Sequence, residues 1–352
     1  MPLLARMLLS PLFIDIRAGA VSGLGDLLSD RRISADGHVA VAVGPGQGER
    51  VVDAIRPTLA NAHLFTVRGG SLEAAGELQS ELRGKNYDAL VGIGGGRTLD
   101  VAKYAATRLA LPMVAVATNL AHDGIASPVS SLLHEGGKGS FGVVLPMAVV
   151  VDLDYVRLSA PRMVLSGVGD VVSNLTAIQD WQLASRERGE VVDGLAVTFA
   201  RTAAEAVLHR GDGLESDGFL TSLAEALVLS GMAMAAAGSS RPSSGADHEI
   251  MHAIDALFPG TANHGELAGI GALFSAFLRD DEQLAGQIDA CLRRHGLPRL
   301  PADVGLSDDQ FAEAVTFAPQ TRPDRYTILE HLDLGAAAIR ARTSDYVNAY
   351  RR

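Results

Sequence analysis

The sequence predicts two halves of different class, an α/β half built on a parallel sheet and an all-α half behind it. Two observations carry this. Up to about residue 150, short apolar runs alternate with amphipathic stretches. Beyond about residue 160, long apolar segments recur at helical spacing. Length agrees, because 352 residues exceed what one core usually serves, roughly 250–300 residues. The expected domains are therefore 1–160 and 161–352.

Each element follows in order. The apolar run Met7–Ile14 is short and holds Ser10 and Pro11, with no small-residue cleavage site after it. It reads as a buried first strand, not a secretory signal. His38–Val43 is the next strand, and the turn Gly44–Gly48 leads into a helix from about Glu49. A strand at Ala62–Val67 precedes a helix at Ser71–Leu82, and a strand at Asp88–Ile93 precedes a helix at Thr98–Leu109. Pro112–Ala117 and the apolar stretch Val143–Val151 complete the half. Strands separated by helices require crossovers, hence parallel pairing. In the second half, Leu220–Ala237, His248–Leu257, Gly265–Leu278 and Glu282–His295 read as helices. The link between halves carries no flexible tract, which predicts two domains packed around a cleft.

Composition narrows the function. With 30 basic and 41 acidic residues the chain carries −11, a poor match for nucleic acid or an anionic membrane. Aromatics are 5%, too few for a base-stacking platform. No run reaches the ~20 apolar residues that span a bilayer, so the expected chain is cytoplasmic and does not insert in a membrane. Cys291 is the one cysteine, which excludes an internal disulfide and any multi-cysteine metal centre and shifts metal chemistry to histidine and carboxylate. The apolar helical half is compatible with a homo-oligomer.

Three segments carry chemistry. In Val91–Lys103 a strand ends, three glycines follow (Gly94, Gly95, Gly96) and a helix begins. Glycine admits a phosphate close to the backbone, and a helix N-terminus offers free N–H groups and partial positive charge. The turn Gly44–Gly48 serves equally as a ligand contact or a simple turn. The second segment, Thr118–Pro128, follows a parallel strand and contains His122, Asp123 and Ser127. Ligands collect at the carboxyl ends of such strands. The third is a dispersed set of metal donors. Asp170 is read at the start of a helix, His248 and His252 lie four apart on one helical face, and His264 opens the next helix. One carboxylate with two or three imidazoles suits Zn²⁺, with Fe²⁺ the alternative.

His248-Glu249-Ile250-Met251-His252 is also a literal HExxH, the zinc-peptidase pattern. That reading leaves the glycine-rich half without a purpose and gives Asp170 and His264 no role, so it is set aside. Arg186–Glu190 reads as a solvated helix end, Met232 and Met234 as core, and Cys291 as inert.

These residues together resemble a known family. The segments GGGRTLDVAK (94–103), HDGIASP (122–128), GVGDVVSNLTAIQDWQLA (167–184), SSRPSSGADHEIMHAID (239–255), HGELAGIG (264–271) and RPDRYTILE (322–330) resemble sn-glycerol-1-phosphate dehydrogenases. That family lies within the iron-containing alcohol dehydrogenase and dehydroquinate synthase-like superfamily. The resemblance implies an N-terminal Rossmann-like dinucleotide-binding domain and an α-helical metal- and substrate-binding domain. Gly95, Gly96, Arg97, Thr98 and Asp100 would hold the phosphates of NAD or NADP, with Thr118 and Ser127 also on the cofactor. Asp170, His248 and His264 would bind the metal, and Asp123 and His252 would serve the substrate as catalytic residues. The motif residues Arg322, Arg325 and Tyr326 receive no role. Three positions depart from the family pattern: Ala121 stands where Ser is usual, Asp247 where Glu is usual, and Met251 where Ser is usual.

The implied reaction is reduction of dihydroxyacetone phosphate to sn-glycerol 1-phosphate, by hydride transfer to a metal-polarised C2 carbonyl. Arg68 after the second strand could accept a 2′-phosphate, which leaves NADP beside NAD. Other readings are a polyol or aldehyde dehydrogenase with another substrate, a sugar-phosphate cyclase, or a non-catalytic dinucleotide sensor.

Overall fold

The structure is a computed structural model and describes residues 8–59 and 61–351. The first residue of the N-terminal apolar run, Met7, lies outside the described residues. The chain folds as two compact units, Met1–Pro161 and Arg162–Arg352.

The first unit runs β1 (Phe13–Arg17), α1 (Leu24–Leu28), β2 (Val39–Val43), α2 (Gln47–Ala54), β3 (His63–Thr66), α3 (Leu72–Leu82), β4 (Ala89–Gly94), α4 (Gly96–Leu109), β5 (Met113–Ala117), β6 (Val129–His134), β7 (Gly137–Gly142), β8 (Ala148–Asp152) and α5 (Leu153–Arg157). Six strands form one sheet in the order β1-β8-β5-β4-β2-β3, and every pairing is parallel. All residues of β2, β4, β5 and β8 are buried. Helices covering both faces of a parallel sheet demand such apolar strands, which is why short apolar runs reveal them.

Two expectations need correction here, and one hairpin goes unforeseen. The first strand is not buried: β1 is an edge strand, and Ile14 is 47% exposed. Its alternation of apolar Phe13, Ile14 and Ile16 with Asp15 and Arg17 fits a strand with one neighbour. The antiparallel hairpin β6–β7, in register Val129↔Gly142, carries no clear sequence signal. Its second strand, Gly-Lys-Gly-Ser-Phe-Gly, is poor in strand-favouring residues. The third glycine is not part of the loop, because α4 begins at Gly96.

The second unit is helical: α6 (Pro161–Arg188), α7 (Gly194–Leu208), α8 (Asp217–Ala237), α9 (Ala246–Leu257), α10 (His264–Leu278), α11 (Glu282–Arg294), α12 (Asp308–Phe317), α13 (Ile328–Leu332) and α14 (Ala336–Tyr350). Asp193, Ser216, Asp281 and Ser307 each accept a backbone N–H as side-chain caps and fix where α7, α8, α11 and α12 start. By length and composition α8 is apolar enough to cross a membrane, but 61% of its most apolar window is buried and it packs along α7. Its buried face contributes to the helical core, where Ala233 packs with Ile178 and Ala200.

Asp170 is not at a helix start. It lies within the 28-residue α6, because Gly167 and Gly169 do not interrupt the helix. Gly169 marks close packing instead. A Cβ on Gly169 would overlap the Gly265 carbonyl, and one on Gly265 would overlap the Ser166 carbonyl and sit 2.9 Å from Asp170 N. Glycine at both positions lets α6 and α10 touch backbone to backbone. A hydrogen bond from Gly265 N to Ser166 Oγ, 3.0 Å, ties the crossing.

Candidate active site

The sheet order reverses between β2 and β4, the place where open α/β sheets bind ligands. Both glycine turns emerge there, side by side. Gly44 N donates to Ile93 O at 2.9 Å. A Cβ on Gly48 would lie 2.6 Å from the same carbonyl, and one on Gly44 would overlap Thr98 Oγ1. The turn Gly44–Gly48 is thus part of the same surface as the turn after β4. Among the described residues no side chain caps α4 and no acid occupies its first turn, so its N–H groups suit an anion. Asn119 closes over Gly95, where a Cβ would be 2.5 Å from Nδ2, and the His122 ring lies against Gly96. Neither contact is legible in sequence.

The remaining N-terminal candidates fall into two groups. Arg97 is exposed and its side chain rests against Gly70, two residues beyond exposed Arg68. Asp123 opens a short 3-10 turn after β5, and His122 Nδ1 accepts Gly124 N at 3.0 Å. Thr98, Thr118, Asp100 and Ser127 are buried. Asp100 pairs with Lys103 at 3.0 Å, and Lys103 Nζ donates to Val129 O at 2.5 Å. Ser127 Oγ donates to Val129 O at 3.2 Å. This cluster joins α4 to the start of the hairpin. Lys103, to which the sequence assigns no role, is its centre.

In the helical unit, α6, α9 and α10 bring Asp170, His248 and His264 together. One donor atom from each lies within 4.8 Å of the others. Asp170 Oδ1 is 3.3 Å from His264 Nε2 and 3.7 Å from His248 Nε2. The donor set is one buried carboxylate and two imidazole nitrogens converging on one point, chemistry that fits Zn²⁺ or Fe²⁺. Burial alone would raise Asp170, yet the two imidazoles outweigh it and hold its carboxyl well below the usual range. Burial alone would lower His248, but Asp170 and Asp247 push it up to about 9. The His248 shift reports the two carboxylates at its ring nitrogens.

Asp247 fixes the direction of this set. Its Oδ1 takes His248 Nδ1 at 2.6 Å, which leaves Nε2 for the centre. Thr176 Oγ1 donates to Asp247 Oδ2 at 2.8 Å, and Gly245 N donates to Oδ1 at 3.2 Å, so the carboxylate is itself held. Asp247→Asn is expected to weaken metal binding about 10–100-fold, measured by competition with a chromophoric chelator. Unchanged affinity would contradict the orienting role.

His252 stands apart from the triad, its ring 6.4 Å from that of His248. Its Nε2 receives Arg322 Nη2 at 3.0 Å. Arginine can only donate, so Nε2 accepts and the ring proton sits on Nδ1. Glu249 faces elsewhere. Burial, with Glu330 and Asp180 nearby, pushes its carboxyl up to about 9, and Thr327 Oγ1 lies 3.0 Å away. His252 lies outside the converging donor set and Glu249 is bonded to Thr327, so the geometry does not assemble the two-histidine zinc site of the peptidase pattern.

Behind the triad, Asp180 anchors three elements. It accepts Ala246 N at 2.8 Å at the start of α9 and Ile328 N at 2.7 Å at the start of α13, and it pairs with Arg279. The helix end Arg186–Gly189 is exposed, as read, while half-buried Glu190 pairs with buried Arg241. Cys291 is buried, and burial pushes its thiol up to about 11.

With this geometry in place, the likeness to known proteins decides the family. The profile of the iron-containing alcohol dehydrogenase family matches residues 15–161. A glycerol-1-phosphate dehydrogenase [NAD(P)+] of Hyperthermus butylicus is 35% identical over 327 residues, 91% of this chain and 92% of that one. The chain belongs to the glycerol-1-phosphate dehydrogenase family. A second relative of the same name, from Methanosarcina mazei, is 32% identical and covers 98% of both chains. Among solved structures, a probable glycerol dehydrogenase from Sinorhizobium meliloti superposes with a TM-score of 0.79 at 22% identity, covering 99% of each chain. Sulfoacetaldehyde reductase from Bifidobacterium kashiwanohense, solved with NAD+, gives 0.71 at 17% identity and covers 94% of this chain and 98% of its own. These two share the fold of the family: a Rossmann-like parallel sheet with a helical unit.

Proposed function

We propose that this chain reduces dihydroxyacetone phosphate to sn-glycerol 1-phosphate with NAD(P)H, on a divalent ion held by Asp170, His248 and His264. The observation that carries the reading is the convergence of those three donors within 4.8 Å, in a chain whose relatives bear that enzyme's name.

When bound, the nicotinamide supplies hydride and the ion polarises the carbonyl oxygen. The chain supplies the rest. Asp247 keeps His248 turned so that Nε2 serves the ion. We assign the dinucleotide phosphates to the turn at Gly95 and Gly96 and the start of α4 with Arg97 and Thr98, and the cofactor's flank to Thr118 and Ser127. Asp100 contributes by anchoring Lys103. Asp123 and His252 are assigned to the substrate. The His252 proton sits on Nδ1, so this N–H can hydrogen-bond the oxygen that becomes the hydroxyl. Hydride on C2 and a proton on that oxygen complete the alcohol. Arg68 and Arg97, both exposed, supply charge for a 2′-phosphate, which supports use of NADPH beside NADH.

The test is a comparison of initial rates of NADH and NADPH oxidation with dihydroxyacetone phosphate, dihydroxyacetone and simple aldehydes. The phosphorylated ketone should lead in kcat/KM by at least about 100-fold, because a site that pairs with a phosphate rejects analogues lacking it. Preference for an unphosphorylated carbonyl would overturn the reading.

A further inference from the structure

The helical unit holds a cavity that the proposed reaction does not use. It lies between α10, α12, α13 and α14 and has a volume of about 240 Å³. Phe274, Leu278, Val315 and Ile339 form apolar walls, and Glu330 and Asp333 stand among them. The triad is remote. Phe274 and Leu278 lie ten and fourteen residues along α10 from His264, about 15 and 21 Å at the helical rise per residue. An apolar cavity of about 150 Å³ accepts benzene, so this one has room for such a ring with a short chain.

The two acids decide what the cavity suits. Glu330 Oε2 is occupied: Thr327 N donates to it at 2.7 Å, and Thr327 Oγ1 lies 2.7 Å away. Glu330 Oε1 is buried and, among the described residues, has no hydrogen-bond partner. A buried carboxylate oxygen without a donor is costly, and a ligand that donates to it recovers that cost. Asp333, at the exposed end of α13, adds a second negative charge. Among the described residues no lysine, arginine or histidine lines the cavity. A fatty acid or other anion would meet like charge there, and a neutral apolar molecule would leave Oε1 unpaired. We propose that this cavity binds a small organic ammonium ion, its apolar body against Phe274, Leu278, Val315 and Ile339 and its N–H donors on Glu330 Oε1. The site is independent of the carbonyl substrate and of the metal.

The experiment follows phenethylamine binding to the full chain by calorimetry, with 2-phenylethanol and phenylacetate as neutral and anionic counterparts. Wild type should bind one phenethylamine per chain, at least about tenfold more tightly than either counterpart. Glu330→Gln keeps a carbonyl oxygen for Thr327 and removes the charge. It should weaken phenethylamine about 10–100-fold and leave 2-phenylethanol unchanged. Thr316→Phe, from the α12 wall, fills the cavity and should abolish binding of the amine. Circular dichroism checks that each variant is folded, and the conservative Glu330→Gln keeps the test decisive if the bulkier change is not tolerated. Absence of saturable binding to wild type at millimolar phenethylamine would overturn the proposal. So would equal affinity for amine and alcohol, or amine affinity that stays at the wild-type value in folded Glu330→Gln or Thr316→Phe.

Discussion

Asp170→Asn is expected to lower turnover about a thousandfold or more while leaving dinucleotide binding intact. The carboxylate is buried between two imidazoles and contributes the negative charge of the donor set. The amide keeps the shape and removes the charge, so a divalent ion would lose its strongest attraction. His264→Ala should act in the same direction by removing one of three donors. Dinucleotide binding, followed by calorimetry, is assigned above to the glycine turns of the first unit and should survive. Full activity in either variant would remove the metal assignment.

Gly265→Ala is the second large effect, and it concerns stability. Its new methyl group would overlap the Ser166 carbonyl and crowd Asp170 N, both of them backbone and unable to step aside cheaply. Overpacking of this kind costs about 3 kcal/mol or more where no side chain can yield. Urea unfolding read at Trp181, the only tryptophan and a residue of α6 itself, would measure it. Gly286→Ala is the matching control: Gly286 lies within α11 with nothing within 4 Å of a Cβ. It should stabilise by up to about 1 kcal/mol through helix propensity alone. Equal effects from the two substitutions would contradict the close crossing of α6 and α10.

Much of this is legible in sequence, for physical reasons. Core strands of a parallel sheet are apolar on both faces, so β2, β4, β5 and β8 stand out as short runs. The residue types at the triad follow from the near absence of cysteine. Positions are harder. Glycine serves both as a break and as a point of contact, and sequence alone does not separate the two. At Gly96 and Gly169 it is helical, and the reading of Asp170 as a helix start fails for that reason. The spacing of His248 and His252 puts both on one face of α9, yet only His248 joins the triad, and the other ring bonds to Arg322, seventy residues on. The supporting residues Asp247, Thr176, Asp180 and Lys103 act through contacts between distant elements. Their identities carry no local pattern, so nothing short of the fold reveals them.

Removal and return of the metal tests the central claim most directly. The protein is dialysed against a strong chelator, and NAD(P)H oxidation with dihydroxyacetone phosphate is followed during titration with Zn²⁺. The account predicts loss of activity in the stripped protein and recovery that saturates at one ion per chain, with Asp170→Asn failing to recover. Undiminished activity in metal-free protein would contradict it.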